Sequence, residues 1–283
     1  MELTTGEIQR AVRAALAEDI GGGDATTLAT MPPNLTACAV MRAREPLVVA
    51  GLDFAQAAFR ELSPRIKIQR NIRDGRRAKA GATLLKISGP ARAILSAERI
   101  ALNFVQRLSG VATLTAQFVE AVRETRAQIL DTRKTTPGWR RFEKYAVACG
   151  GGKNHRFGLF DMILIKDNHL AALRNEKPNA IAVAIQRTRK KFPKLKVEVE
   201  ADTLEQVAQA ADAGADIILL DNMTTAQLRQ AVKILKGRAK AEASGGMNLK
   251  TVRAIAATGV DFISVGALTH SARAVDIGLD FEQ

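Results

Sequence analysis

The chain has 283 residues, 47% apolar and 25% charged, with a net charge of +13 at neutral pH. That length suits one large domain or two ordinary ones, and its longest apolar runs fall far short of the ~20 residues of a membrane helix. Cys38 and Cys149 provide neither metal-ligand spacing nor a disulfide framework, which points to a reducing cytoplasm. Aromatics are only 4%, and no zinc-finger, helix-turn-helix or RNA-recognition spacing accompanies the basic excess, so nucleic acid is not the expected partner.

Thr4 and Glu7 have the spacing of a capping box, and Ile8, Val12, Ala15 and Leu16 follow at helical period to a stop near Asp19. The amphipathic start does not read as a signal peptide. EDIGGGDATT is glycine-rich, but it lacks the preceding strand and second spaced glycine of a dinucleotide loop, so it reads as a structural turn. Residues 36–50 and 66–88 read as strands, with Asp74-Gly75 as a hairpin turn. Ile94, Ile100, Phe104, Leu108, Val111, Leu114, Phe118 and Val122 then trace a helical stripe in which Gly110 predicts a break or kink. To about residue 108 the pattern is strands with covering helices.

Beyond it, apolar runs end at Asp131, Lys166, Glu200, Asp221, Ser244 and Gly266, and most are followed by helical pattern, as at Thr203–Ala213 and Thr224–Lys236. This alternation predicts a parallel sheet with helical crossovers. The last four runs step at the spacing of an α/β barrel, two strands short of eight. Chemistry in such a barrel sits beyond the carboxyl ends of the strands.

Three groups lie at those ends. Arg133, Lys134, Arg156 and Lys166, with His155, suit carboxylates or phosphates, arginine by its planar fork and lysine as a point charge; surface salt bridges are the plain alternative. Glu200 and Asp221 end successive strands and suit Mg²⁺, sugar hydroxyls or a shared proton, with Glu198 as the rival to Glu200. Pairing with Lys166 or an arginine explains the same two acids equally well. Ser244-Gly245-Gly246 and Gly266 to His270 follow the last two strands, where barrels often bind phosphate. Walker A spacing, a serine elbow and zinc-ligand histidine spacing are lacking.

DTRKTTPG, KYAVACGGGKNHR, ILIKDNH, VEVE, ILLDNM, EASGG and DFISVGALTHS, with EDIGGGDATT and ERIALNFVQRLSG before them, together resemble the quinolinate phosphoribosyltransferase family over nearly the whole chain. The resemblance implies the type II phosphoribosyltransferase architecture. An N-terminal α/β sandwich domain would cover residues 1–108 and an incomplete, open α/β barrel residues 109–283, the last residues returning to the first domain. It implies a homodimer or higher oligomer, with Mg²⁺, quinolinate and phosphoribosyl pyrophosphate as cofactor and substrates. Arg133, His155, Arg156 and Lys166 would hold the quinolinate carboxylates, and Lys134 the phosphoribosyl donor. Glu200 and Asp221 would hold ribose and metal. Ser244, Gly245, Gly246, Gly266 and His270 would cradle the 5′-phosphate, while Arg99 would reach the neighbouring subunit's site. The nearest rival is a molybdenum-transport-associated relative with another acceptor; the KDNH run and the full cationic set favour quinolinate.

Overall fold

Thr4 and Glu7 form the expected reciprocal cap, Glu7 N–H donating to Thr4 Oγ1 (3.3 Å) and Thr4 N–H to Glu7 Oε2 (2.8 Å). Helix α1 (Thr5–Ile20) follows and buries Ile8, Val12 and Leu16. The computed structural model describes residues 2–282. One compact unit takes the chain up to Ala116, Arg141–Gly151 and the residues from Ala272 on; the other takes Gln117–Arg140 and Gly152–Ser271. No described helix is long and apolar enough to cross a membrane.

In the first unit the glycine-rich turn ends in Asp24, whose carboxylate caps α2 (Ala25–Thr30) by accepting from Thr27 N–H at 2.9 Å. β1 (Thr36–Ala43), β2 (Leu47–Val48), α3 (Leu52–Leu62), β3 (Lys67–Arg70), β4 (Arg77–Ala78) and β5 (Thr83–Pro90) come next. β5, β1 and the C-terminal strand Ile277–Glu282 lie side by side, antiparallel, with β3 on the other edge of β5. The expected Asp74-Gly75 hairpin is not formed. β3 pairs with β5 and β4 pairs with β2, so this turn carries the chain between two sheets. Asp74 instead accepts from the N–H groups of Gly51 (2.6 Å) and Leu52 (3.3 Å), at the start of α3.

Gly110 does not break its helix, because α4 (Ala91–Val122) is continuous through it. The boundary expected after residue 108 therefore lies inside this helix. The glycine serves a close approach: a Cβ there would sit 2.0 Å from the Arg273 carbonyl oxygen. Its helix penalty of about 1 kcal/mol is smaller than the strain of that overlap. α4 also satisfies the β2–α3 connection, Val48 N–H donating to Thr113 Oγ1 (2.8 Å) and Ala50 N–H to Ser109 Oγ (2.9 Å). α5 (Arg140–Cys149) supplies Tyr145, whose hydroxyl donates to Asp74 at 2.7 Å.

In the second unit six parallel strands form one sheet: β6 (Gln128–Leu130), β7 (Ile163–Ile165), β8 (Val197–Ala201), β9 (Ile217–Asp221), β10 (Lys240–Ser244) and β11 (Phe262–Ser264). Their order is β6-β11-β10-β9-β8-β7, so β6 and β7 are the two edges and the barrel is open. A bridge from Leu130 to Lys153 covers part of the β6 edge. Helices α6 (Asp167–Ala172), α7 (Ala180–Lys191), α8 (Leu204–Asp212), α9 (Thr225–Leu235), α10 (Val252–Ala256) and α11 (Ala267–His270) occupy the connections. Threonine–glutamine capping boxes start α8 and α9. Alternation sorts β8 cleanly: Val197, Val199 and Ala201 are buried on one face, and Glu198 and Glu200 share the other.

Glu45 ties down the end of the chain, accepting from the Arg273 guanidinium (2.8 Å) and from Asp276 N–H (2.8 Å). The arginine hydrogen bond, then the backbone one, hold its carboxyl at a pKa of about 2, against an ordinary 4.5. A depressed carboxyl stabilises the fold above its unfolded pKa, and that contribution fades as pH falls toward the folded value. Replacing Glu45 with Gln is therefore expected to cost about 1 kcal/mol at neutral pH, modest because Arg273 is exposed. Denaturant melts at stepped pH should show the gap to wild type closing between about pH 4.5 and pH 2; a gap constant with pH contradicts the assignment.

Candidate active site

Six strand ends converge on a cavity of about 780 Å³ whose lining belongs wholly to the second unit. Every residue singled out from the sequence lines it except Glu198, which is buried beneath it, and Arg99, which is exposed on α4 in the first unit.

The loop after β6 brings Arg133 and Lys134. Thr132 Oγ1 accepts from Lys134 N–H at 3.0 Å, and Thr269 Oγ1 donates to the Lys134 carbonyl at 2.7 Å. Arg140 braces the loop from outside the cavity, donating to Thr135 Oγ1 (3.0 Å) and to the carbonyls of Phe157 (3.1 Å) and Arg133 (3.4 Å). Arg140 escaped notice in the sequence, although its place in a stretch with twice as many Lys and Arg as acidic residues was the available signal. Asp131, fully buried at the end of β6, accepts from Asn154 Nδ2 (2.6 Å) and His155 N–H (2.8 Å). Arg156 donates to the Met162 carbonyl at 3.2 Å, while its Nε and that of Arg133 are buried with no protein acceptor. Burial and the neighbouring charge of Arg133 push the Arg156 pKa down. The charges of Glu198 and Asp161 offset this in part.

The acids divide into two layers. At the cavity, Lys166 Nζ lies 3.7 Å from Glu200 Oε2. Burial raises the Glu200 pKa, Lys166 lowers it, and Asp221, Asp167 and Asp202 raise it again. Glu200, Asp202 and Asp221 each place a carboxylate oxygen within 4.8 Å of the others, an oxygen set that fits a hard divalent cation. Asp202 was missed because it stands just past the apolar run. Beneath this layer, Glu198 and Glu242 are completely buried. His155 Nε2 reaches both, at 3.0 Å and 3.4 Å, and Ser264 Oγ donates to Glu242. Glu198 is thus no substitute for Glu200: alternation places both on one face, but at different depths. Glu242 was also overlooked, though an acid inside an apolar strand, two residues before Ser244, was the signal.

His155 is engaged at both ring nitrogens, since Nδ1 accepts from Arg156 N–H at 2.8 Å. Burial disfavours charge on the ring, but the hydrogen bonds and charges of Glu198 and Glu242 outweigh it and lift its pKa to about 10. The Arg156 N–H opposes a second ring proton, because it requires the Nδ1 lone pair. The arrangement seen therefore has its proton on Nε2, facing the acids. Glu198 in turn is pushed up by burial and by the charge of Glu242.

On the far wall, Asn222 adopts φ 53° and donates to Asp221 Oδ2 at 2.7 Å. Gly245 (φ +99°) leaves room for it: a Cβ there would meet Asn222 Oδ1 at 2.1 Å. A Cβ on Gly266 would stand 3.1 Å from both His270 Nε2 and Lys134 Cδ, so this glycine admits the lysine and histidine side chains together.

This is an α/β protein whose open parallel barrel brings cations and paired acids to one cavity. Sequence profiles described as the C-terminal and N-terminal domains of quinolinate phosphoribosyl transferase match residues 111–280 and 24–109. Nicotinate-nucleotide pyrophosphorylase (carboxylating) of Mycobacterium leprae is 44% identical over 95% of each chain. Quinolinate phosphoribosyltransferase (decarboxylating) 2b of Nicotiana tabacum is 40% identical over 98% of this chain and 83% of its own. Among solved structures, the nicotinate-nucleotide pyrophosphorylase from Francisella tularensis superposes with a TM-score of 0.93 at 40% identity, covering 99% of this chain and 98% of that one. The chain belongs to the quinolinate phosphoribosyltransferase family.

Changing Gly245 to Ala is expected to destabilise the protein by about 1–3 kcal/mol through strain at positive φ and to drive Asn222 off Asp221. Thermal melts and the KM for phosphoribosyl pyrophosphate would both register it; wild-type values in both would contradict this role for the loop.

Proposed function

We propose that this protein transfers the phosphoribosyl group of phosphoribosyl pyrophosphate to quinolinate with loss of CO₂, giving nicotinate mononucleotide and pyrophosphate in de novo NAD synthesis. The observation that carries this reading is the juxtaposition, in one cavity, of Arg133 and Arg156, with unpartnered buried Nε atoms, and Glu200 with Asp221. The relatives' names supply the substrates.

The chemistry follows from the charges. Arginine forks and Lys166 hold two adjacent ring carboxylates and align the pyridine nitrogen for in-line attack on the ribose C1. Departure of pyrophosphate leaves positive charge on that carbon, which Glu200 and Asp221 stabilise. The C1–N bond makes the ring nitrogen cationic. The bond from C2 to its carboxylate then breaks, CO₂ leaves, and the electron pair stays on C2, beside that cation, until a proton arrives. The substrate is its own electron sink, so no organic cofactor is required. Lys134 contacts the phosphoribosyl donor, and Ser244, Gly245, Gly246, Gly266 and His270 surround its 5′-phosphate.

Mg²⁺ is the proposed cofactor, with Glu200 and Asp221 as its ligands and Asp202 as a third. When bound, it neutralises charge on the donor's pyrophosphate. The working form is proposed to be a cytoplasmic homodimer or a higher assembly of dimers, in which exposed Arg99 enters the neighbouring subunit's site.

Two variants test the reading. Arg133→Ala should lower kcat/KM for quinolinate at least 100-fold, about 2.7 kcal/mol, with an unchanged melting temperature. Asp221→Asn should raise the Mg²⁺ concentration needed for half-maximal rate roughly ten-fold. Unchanged kinetics in a folded Arg133→Ala protein would remove that arginine from the site.

A further inference from the structure

Buried acids are costly, and Glu198 and Glu242 are two of them on one patch of floor, both wholly inaccessible to water. Replacing buried ionic groups with an apolar pair of similar volume is often neutral or stabilising, so stability alone does not account for them. Their partners are few: both Glu198 oxygens and Glu242 Oε2 lack a well-aligned hydrogen bond, and among the described residues the imidazole of His155 is the one group at ion-pair distance from both carboxylates. His155 is clamped on its other sides, by Asp131 at its N–H (2.8 Å) and by the Arg156 N–H at Nδ1 (2.8 Å). The ring thus lacks a free nitrogen for a substrate carboxylate, the role that the family resemblance assigned to it. What it does hold is the backbone of Arg156. The charge of Glu198 also acts on the Arg156 guanidinium, opposing the repulsion from Arg133.

From this geometry we infer that Glu198 and Glu242 are positioning residues for the acceptor: through the His155 imidazole they fix Arg156 beside Arg133 as a pre-formed receptor for two adjacent carboxylates. This deepens the proposed function and rests on it for the identity of the acceptor. Three strands share the task, since Glu198 stands on β8, Glu242 on β10, and Ser264 on β11 donates to Glu242. These contacts form within the fold itself, so the cost of bringing two guanidiniums together is met in folding rather than in binding. Glu242 also lines the cavity, but among the described residues neither carboxylate hydrogen-bonds the donor's loops, so their effect is expected on the acceptor.

The test begins with wild-type turnover of quinolinate; its absence would count against the proposed function and would leave the second readout below to judge the floor. Glu198→Gln and Glu242→Gln keep shape and remove charge. Each is expected to raise the quinolinate KM at least ten-fold while the KM for phosphoribosyl pyrophosphate stays within two-fold, a split that general loosening of the barrel would not give. The second readout is nitrogen-15 NMR of the histidine rings in the wild-type protein and in both variants. A slowly exchanging Nε2–H proton from His155, lost or shifted when either acid is replaced, is expected. A quinolinate KM within two-fold of wild type in both variants, both KM values rising alike, or a His155 Nε2–H that exchanges like a free imidazole would overturn the proposal. A variant that does not fold leaves the decision to its partner and to the wild-type spectrum.

Discussion

Like charges crowded together around one cavity are the constraint on which the second unit depends. Arg133 and Arg156 oppose each other across one side of the cavity, Glu198 and Glu242 lie together under its floor, and Glu200 and Asp221, with the exposed Asp202 nearby, crowd its other side. None of these sets is comfortable alone. A folded chain keeps such groups when a ligand or counter-charge completes them, because an isolated buried ion costs several kcal/mol. Here the Nε2 side of the His155 ring faces both acids of the floor, while Arg133, Arg156, Glu200 and Asp221 face the cavity.

The parallel sheet makes this crowding attainable. Side chains alternate along each strand, so an acid at the second position of β8 is buried and one at the fourth reaches the cavity. Neighbouring strands in register, with Ser244 beside Asp221 and Glu200 beside Leu219, bring residues far apart in the chain to one level. Short strands at the open edges then give way to loops that Asp131, Arg140 and Thr269 lock by hydrogen bonds. Specificity and fold are therefore served by the same polar groups.

Much of this was legible in the sequence, because each strand of the second unit ends in a polar residue after an apolar run, and that pattern is local. The six ends, the cations and the acids Glu200 and Asp221 follow from it. What escaped needed long-range pairing. Glu242 looks like any strand residue until β10 is placed near His155, and Asp202 looks like a helix approach until it is set against Asp221. In the first unit, local rules misled. Gly110 has the signature of a helix break, yet its missing side chain answers the Arg273 carbonyl, and Asp74-Gly75 has the signature of a hairpin, yet it joins strands that pair elsewhere. The basic excess has a partly local account: Arg189, Lys190 and Lys191 close the last turn of α7, where cations complement the helix dipole.

The central claim is that this cavity selects a pyridine bearing two adjacent carboxylates and joins it to a phosphoribosyl group. Its most direct test offers the purified protein quinolinate or nicotinate in parallel, each with phosphoribosyl pyrophosphate and Mg²⁺, and follows nicotinate mononucleotide and CO₂. The account predicts product and an equal amount of CO₂ from quinolinate, and none from nicotinate. Equal turnover of nicotinate, or no product from quinolinate, would contradict it.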